Sequence, residues 1–221
     1  TGKTTLQTSM MAFTERFNPY LFVMDLDRGM EIFIRAIGGS YFALEAGKPT
    51  GLNPFQLPDT PANREFLYGL VGMCGADENG KLTATEEKEI QFAVDTVFSL
   101  DFKNRHFSHL LQSIPISPGP NSLRVRLSKW CRSEDGRFAW CLDNPTNLFD
   151  PEQFYRVGFD LTDILKDNYP PTAPVLAYMF HLRNIMLDKV AKEDGLLATI
   201  VEEFFFFFQA EDGIRDKMVT G

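Results

Sequence analysis

No run of apolar residues in this 221-residue chain approaches the roughly 20 needed to cross a bilayer. Nothing in it therefore reads as a membrane-spanning helix. Cysteine is scarce. Cys74, Cys131 and Cys141 are widely spaced and form no C-x-x-C pair. That spacing argues against a disulfide framework or a zinc ribbon, and for three reduced, buried thiols. Histidine is scarce as well. His106, His109 and His181 show no metal-binding pattern and read as structural. Basic residues are outnumbered: 22 Lys and Arg face 30 Asp and Glu, for a net charge of −8. An acidic balance argues against a broad surface that coats nucleic acid. A local basic loop still leaves nucleic acid possible, although the charge does not indicate it. No internal repeat is present.

What is present begins at the first residue. Thr1-Gly2-Lys3-Thr4-Thr5 matches the second half of the phosphate-binding loop G-x-x-x-x-G-K-[ST]. A strand and a first glycine are therefore expected upstream of Thr1. Gly2 has no Cβ, so backbone N–H groups can approach phosphate oxygens. Lys3 would reach the β- and γ-phosphates as a compact positive charge, and Thr4 would offer its hydroxyl to Mg²⁺. Thr1 and Thr5 flank these groups and complete the nucleotide-binding set. A G-K-T triplet also arises by accident, but the segments downstream of it argue against accident. Residues 6–13 read as a helix, and Tyr20–Met24 as a buried strand ending in Asp25-Leu26-Asp27. Loop, helix and strand is the order such a domain requires.

Further along, Met30–Ile37 reads as a short helix stopped by Gly38-Gly39, and Tyr41–Glu45 as a second strand. Gly47–Phe55 is rich in turn residues. The character then changes. Thr60 caps a helix that starts at Pro61, and Thr83 with Glu86 has capping-box spacing. Two more helices are expected over Ser108–Ile114 and Ser122–Trp130. Strand signal resumes at Phe138–Asp143 and Tyr155–Asp160, and Pro174–Asp188 reads as a helix. The expected fold class is α/β: a RecA-like P-loop core, a mostly parallel sheet with helices on both faces, plus a helical insertion. The expected domains are 1–57 (first part of the core), 58–136 (insertion) and 137–204 (the rest of the core).

The last strand, Gly195–Val201, runs into Glu202 and Glu203. Four apolar residues followed by an acid is the Walker B pattern, in which the acid holds Mg²⁺. Glu202 would be that metal ligand, and Glu203 would orient or deprotonate the attacking water. The competing reading is two solvent-facing glutamates after a strand. Asp25 and Asp27 suit either a metal contact or a cap on the next turn, and capping is preferred. Arg28 reads as a surface arginine rather than a nucleotide sensor. Arg124, Arg126, Lys129 and Arg132 read as a solvated basic face, and Trp130 and Trp140 as packing residues.

The C-terminal stretch has a different origin. Phe204–Phe208 is a run of five phenylalanines, followed by Gln209-Ala210-Glu211-Asp212-Gly213-Ile214-Arg215-Asp216. That octapeptide is the translation of a common sequencing-library adapter, and residues 205–221 are expected to be adapter-derived.

Taken together, these stretches resemble the large ATPases of type IV secretion systems, the CagE/TrbE/VirB family. The resemblance is carried by Gly2–Leu6, Met24–Ile32, Gly38–Tyr41, Pro49–Phe55, Gly158–Thr162 and Leu197–Phe204, across nearly all of residues 1–204. Gly51-Leu52-Asn53-Pro54-Phe55 is the more specific signal. The resemblance implies ATP and Mg²⁺ as cofactors and a motor on the cytoplasmic face of a bacterial inner membrane. It also implies a homo-oligomer, a hexamer, working with other secretion subunits on DNA or protein transfer or on machine assembly. Glu202 departs from the more common aspartate. The family's N-terminal domain, its water-sensing glutamine and its arginine finger are not in these residues, so these residues alone are expected to be inactive. The alternatives are a DNA-translocating ATPase of the septum or coupling-protein type, which the acidic charge disfavours, and an inactive P-loop scaffold.

Overall fold

The computed structural model describes residues 2–201. The chain forms two compact units. One takes in residues up to Ala43, Tyr155–Leu161 and the stretch from Gly195; the other takes in Leu44–Phe154 and Thr162–Asp194.

The first unit holds α1 (Gly2–Thr14), β1 (Tyr20–Asp25), α2 (Glu31–Ala36), β2 (Ser40–Ala43), β3 (Arg156–Asp160) and β4 (Leu197–Val201). Its sheet has the order β2-β3-β1-β4, and every pair is parallel. Parallel strands are covered on both faces, so they read as unbroken apolar runs. Leu21-Phe22-Val23-Met24 is such a run and is buried throughout. Leu21 and Val23 pack with Met11 of α1, Met30, Ile34 of α2 and Tyr41 of β2, and Ala198 and Ile200 of β4 lie against the same cluster. Burying each large aliphatic contributes about 1.5–3 kcal/mol. Strand alternation turns Phe22 to the opposite face. There its ring lies 5.4 Å from that of Phe159, which lies 5.8 Å from Phe42. Gly158 of β3 is required by contact. A Cβ there would come 2.3 Å from Ile34 Cδ1 and 2.7 Å from Tyr41 Cδ2.

The second unit holds α3 (Pro61–Gly75), α4 (Ala84–Phe98), α5 (Phe107–Gln112), α6 (Leu123–Ser128), α7 (Ala139–Leu142) and α8 (Thr172–Lys192). The expected caps form. Thr60 accepts the Asn63 N–H at 3.1 Å, and Thr83 and Glu86 close a capping box. All three cysteines are buried and free, and burial pushes their thiols above the usual range. Trp130 is buried and donates its indole N–H to the Cys74 carbonyl at 3.1 Å.

Two expectations are corrected here. Phe138–Asp143 is not a strand. It forms the short helix α7, whose turn is closed by the Asp143 N–H donating to the Ala139 carbonyl at 3.0 Å. A short apolar run does not tell a buried strand from a buried helix. The buried Asp143 carboxylate accepts from the backbone N–H groups of Ser108 at 3.1 Å and Arg132 at 2.7 Å, with His106 Nδ1 3.4 Å away. The basic stretch at 124–132 is not a uniformly solvated face either. Arg126 is buried, donates to the Gly75 carbonyl at 2.6 Å and pairs with Glu86. Arg124 donates to the Ile114 carbonyl at 3.0 Å.

Candidate functional site

Gly2, Lys3, Thr4 and Thr5 form the first turn of α1, a helix of 13 residues. The first N–H groups of a helix have no acceptor within it and carry the positive end of its dipole. This backbone fits an anionic phosphate. Residues 15–19 join α1 to β1, and Met11 packs with Leu21 and Val23. A helix that returns to its strand over so short a link runs antiparallel to it. Its first turn therefore lies toward the carboxyl edge of the sheet, where open α/β sheets bind ligands. β4 pairs with β1 from Tyr20↔Leu197 to Met24↔Val201 and runs toward the same edge. Thr1, Glu202 and Glu203 lie outside the described residues, as does the expected adapter-derived stretch 205–221.

The carboxyl edge carries a second set of polar groups. Asp25 and Asp160 end β1 and β3 and face each other in register. Asp25 is fully buried. It accepts the N–H of Leu26 at 2.9 Å, the N–H of Met30 at 2.8 Å and the Tyr41 hydroxyl at 2.5 Å. Burial, together with the bond to Asp25, pushes the Tyr41 phenol far above its usual range, so it remains a donor. The preferred capping role of Asp25 is what the structure shows. Sequence reasoning missed Tyr41 and Asp160. Their only signal was an aspartate ending each of two apolar runs.

Between Leu26 and Met30 the chain makes a tight turn, closed by the Gly29 N–H donating to the Leu26 carbonyl at 3.2 Å. Its two central residues, Asp27 and Arg28, have φ of 53° and 55°. Two left-handed residues in succession mark a mirror-image turn, for which Asn-Gly is the relaxed choice. Side chains there cost roughly 1–2 kcal/mol per residue, less for Asp. Both residues are exposed. Arg28 Nε lies 3.5 Å from Asp160 Oδ2.

Among the described residues, no group of three or more His, Cys, Asp or Glu is placed to hold a metal ion. His181 stacks on Phe66 with ring centroids 3.8 Å apart and lies 2.7 Å from Asn63 Oδ1, a structural position.

Comparison with known proteins decides the family. No family model matches the chain. The type IV secretion system protein PtlC of Bordetella pertussis is 33% identical over 198 residues, which is 85% of this chain and 24% of PtlC. VirB4 of Brucella abortus, also a type IV secretion system protein, is 36% identical over 172 residues, or 74% of this chain and 21% of that protein. The chain belongs to the VirB4/PtlC family of type IV secretion proteins. It spans about a quarter of the length of these relatives. The solved structure of VirB4 from Thermoanaerobacter pseudethanolicus superposes with a TM-score of 0.63 at 15% identity, covering 90% of this chain and 66% of that one. The α/β fold with its parallel sheet is thus the VirB4 fold.

Proposed function

We propose that this chain forms part of the ATP-hydrolysing core of a type IV secretion motor. The observation that carries the reading is the placement of Gly2-Lys3-Thr4-Thr5 on the first turn of α1, toward the edge where β4 ends. In this reading Thr1 and the first turn of α1, Gly2–Thr5, would cradle the phosphates, with Lys3 offsetting the β- and γ-phosphate charge and Thr4 offering its hydroxyl to Mg²⁺. Glu202 directly follows β4 in sequence and supplies the second metal ligand. Glu203 orients the attacking water. When bound, Mg²⁺ supplies the charge that offsets the phosphate oxygens.

The relatives' names, type IV secretion system proteins, support a role in secretion over a septum-type DNA translocase. Other secretion subunits are then its partners, and a hexamer at the cytoplasmic face of the inner membrane is its working form. No helix among the described residues is long and apolar enough to cross a membrane, which suits a peripheral attachment. The domain scheme of a core at 1–57 and 137–204 with an insertion at 58–136 is kept as part of this proposal.

The test is Lys3→Ala in the full-length protein, with ATP turnover and thermal melting measured together. Loss of one such phosphate contact is expected to reduce turnover by two to three orders of magnitude or more, on the order of 3–4 kcal/mol. The melting temperature should be unchanged. Undiminished turnover would remove the phosphate-loop assignment.

A further inference from the structure

We infer that the turn Leu26–Gly29 is a nucleotide-contacting element in which Arg28 reads phosphate charge, with Asp25 and Tyr41 as the residues that position it. The inference rests on the ATPase reading above and deepens it.

The turn is strained, exposed and held from below. Asp27 and Arg28 both take left-handed backbone, and neither is glycine or asparagine. A connection needed only to link β1 to α2 would be relaxed by Asn-Gly at these two positions. Strain of this kind persists where the surroundings over-determine it, and it clusters at functional sites. Here the surroundings do so. The buried Asp25 carboxylate grips the turn on both sides, accepting from Leu26 before it and Met30 after it. The Tyr41 hydroxyl fixes that carboxylate from β2. Tyr41, Gly158 and Val23 occupy one row across three strands, so the grip is tied to the sheet itself. Asp160 steers the guanidinium from β3 at 3.5 Å. The result is a cation on a rigid support at the carboxyl edge, within a chain of net charge −8. A guanidinium presented this way suits a phosphate oxygen, since its planar fork needs orientation more than reach.

The experiment uses the full-length protein with Mg·ATP, steady-state kinetics and thermal melting. Arg28→Ala should raise KM for ATP about tenfold and leave kcat within about twofold, while Arg28→Lys should recover part of the loss. Tyr41→Phe removes only the hydroxyl that holds Asp25, and it should raise KM in the same direction by a smaller factor. A merely structural Tyr41 would lower the melting temperature and leave KM alone. The double variant Asp27→Asn/Arg28→Gly gives the turn its relaxed sequence. It should melt at a higher temperature than wild type while showing the raised KM, because strain is exchanged for stability at the cost of binding. Lys3→Ala is run beside these variants. If it retains turnover, the ATPase reading itself fails. If it is dead while Arg28→Ala and the double variant keep wild-type KM, the inference about the turn is overturned and the ATPase reading stands. Unchanged KM with lost binding of a single-stranded oligonucleotide by Arg28→Ala would likewise overturn it, in favour of a nucleic-acid contact. A lower melting temperature for the double variant would refute the strain argument.

Discussion

Replacing Asn53 by alanine should destabilise the helical unit severely. Asn53 is fully buried in the segment Gly51-Leu52-Asn53-Pro54-Phe55 that carries the most specific part of the family resemblance. Its side-chain amide donates to the carbonyls of Arg105 at 2.9 Å and Asn144 at 2.8 Å, and its oxygen accepts the Phe55 N–H at 3.1 Å. Alanine removes all three bonds and strands three main-chain groups. Each bond is worth about 1 kcal/mol net, and a buried group left without a partner costs about 1–3 kcal/mol. Arg105 is half-buried and can turn to water, so the expected loss is about 3–5 kcal/mol. That is a large share of the roughly 5–15 kcal/mol that ordinarily separates folded from unfolded chains. The assay is urea denaturation followed by the fluorescence of Trp130, which is buried in the same unit. Asn53→Asp keeps the acceptor for Phe55, loses both donors and adds a charge, so it should fare no better than alanine. A loss below about 1 kcal/mol for Asn53→Ala would refute the view that this motif is a structural lock.

Two further outcomes are expected. Burial holds His181 at a pKa of about 4, against an ordinary value of 6.5, so the unfolded chain takes the proton first as pH falls. The stability tied to neutral His181 is therefore complete above pH 6.5 and lost progressively toward pH 4. Because the ring is only partly buried, the effect is on the order of 1 kcal/mol after solvent screening. His181→Gln should flatten the stability profile in that window, and an unchanged slope would refute the assignment. Gly158→Ala should destabilise the sheet unit by about 1–3 kcal/mol, because the new methyl meets Ile34 and Tyr41 below contact distance. A melting temperature equal to wild type would show that the α2 contact is looser than described.

The sheet was legible where physics is local. Tyr20–Asp25 is a parallel strand buried from Leu21 to Asp25, and such a strand announces itself as an unbroken apolar run, while Arg156–Asp160 shows only the shorter Val157-Gly158-Phe159. Thr60 and Thr83 were legible because a cap and its partner lie three residues apart. Gly2–Thr5 read as a phosphate-binding loop with a helix over residues 6–13, whereas α1 already begins at Gly2. What escaped depends on distant partners. Nothing near Arg126 says that it will be buried, since its acceptors at Gly75 and Glu86 come from other helices. Residues 138–143 alternate poorly and are equally apolar as strand or helix; the choice is made by Asp143 anchoring the ends of two other segments. The contact of Tyr41 with Asp25 requires β3 to enter between β2 and β1 after more than a hundred intervening residues, and no local pattern encodes that order.

The stretches that carry the family resemblance therefore divide by how far their polar groups are exposed. In Gly51–Phe55 the Asn53 amide spends both donors and its oxygen within the unit, and the amide of Asn144 serves Thr50, Leu52 and Trp140. A Cβ at Gly51 would lie 2.6 Å from Leu148 Cδ1. Such a segment is fully committed to its own fold, and a ligand would have to break it to bind. Met24–Ile32 differs in exposure, although Arg28 lies 3.5 Å from Asp160. Its buried carboxylate is committed, but the two residues it supports are charged, exposed and held in a conformation they do not favour. A resemblance that spans both stretches reports shared ancestry equally well through either. Of these two, only the second carries exposed charge, and it sits at the edge of the sheet toward which the first turn of α1 points. Chemistry is therefore to be sought at Gly2–Thr5 and Leu26–Gly29, and loss of folding at Gly51–Phe55. A set of variants at both places separates the two by whether melting temperature or KM moves first.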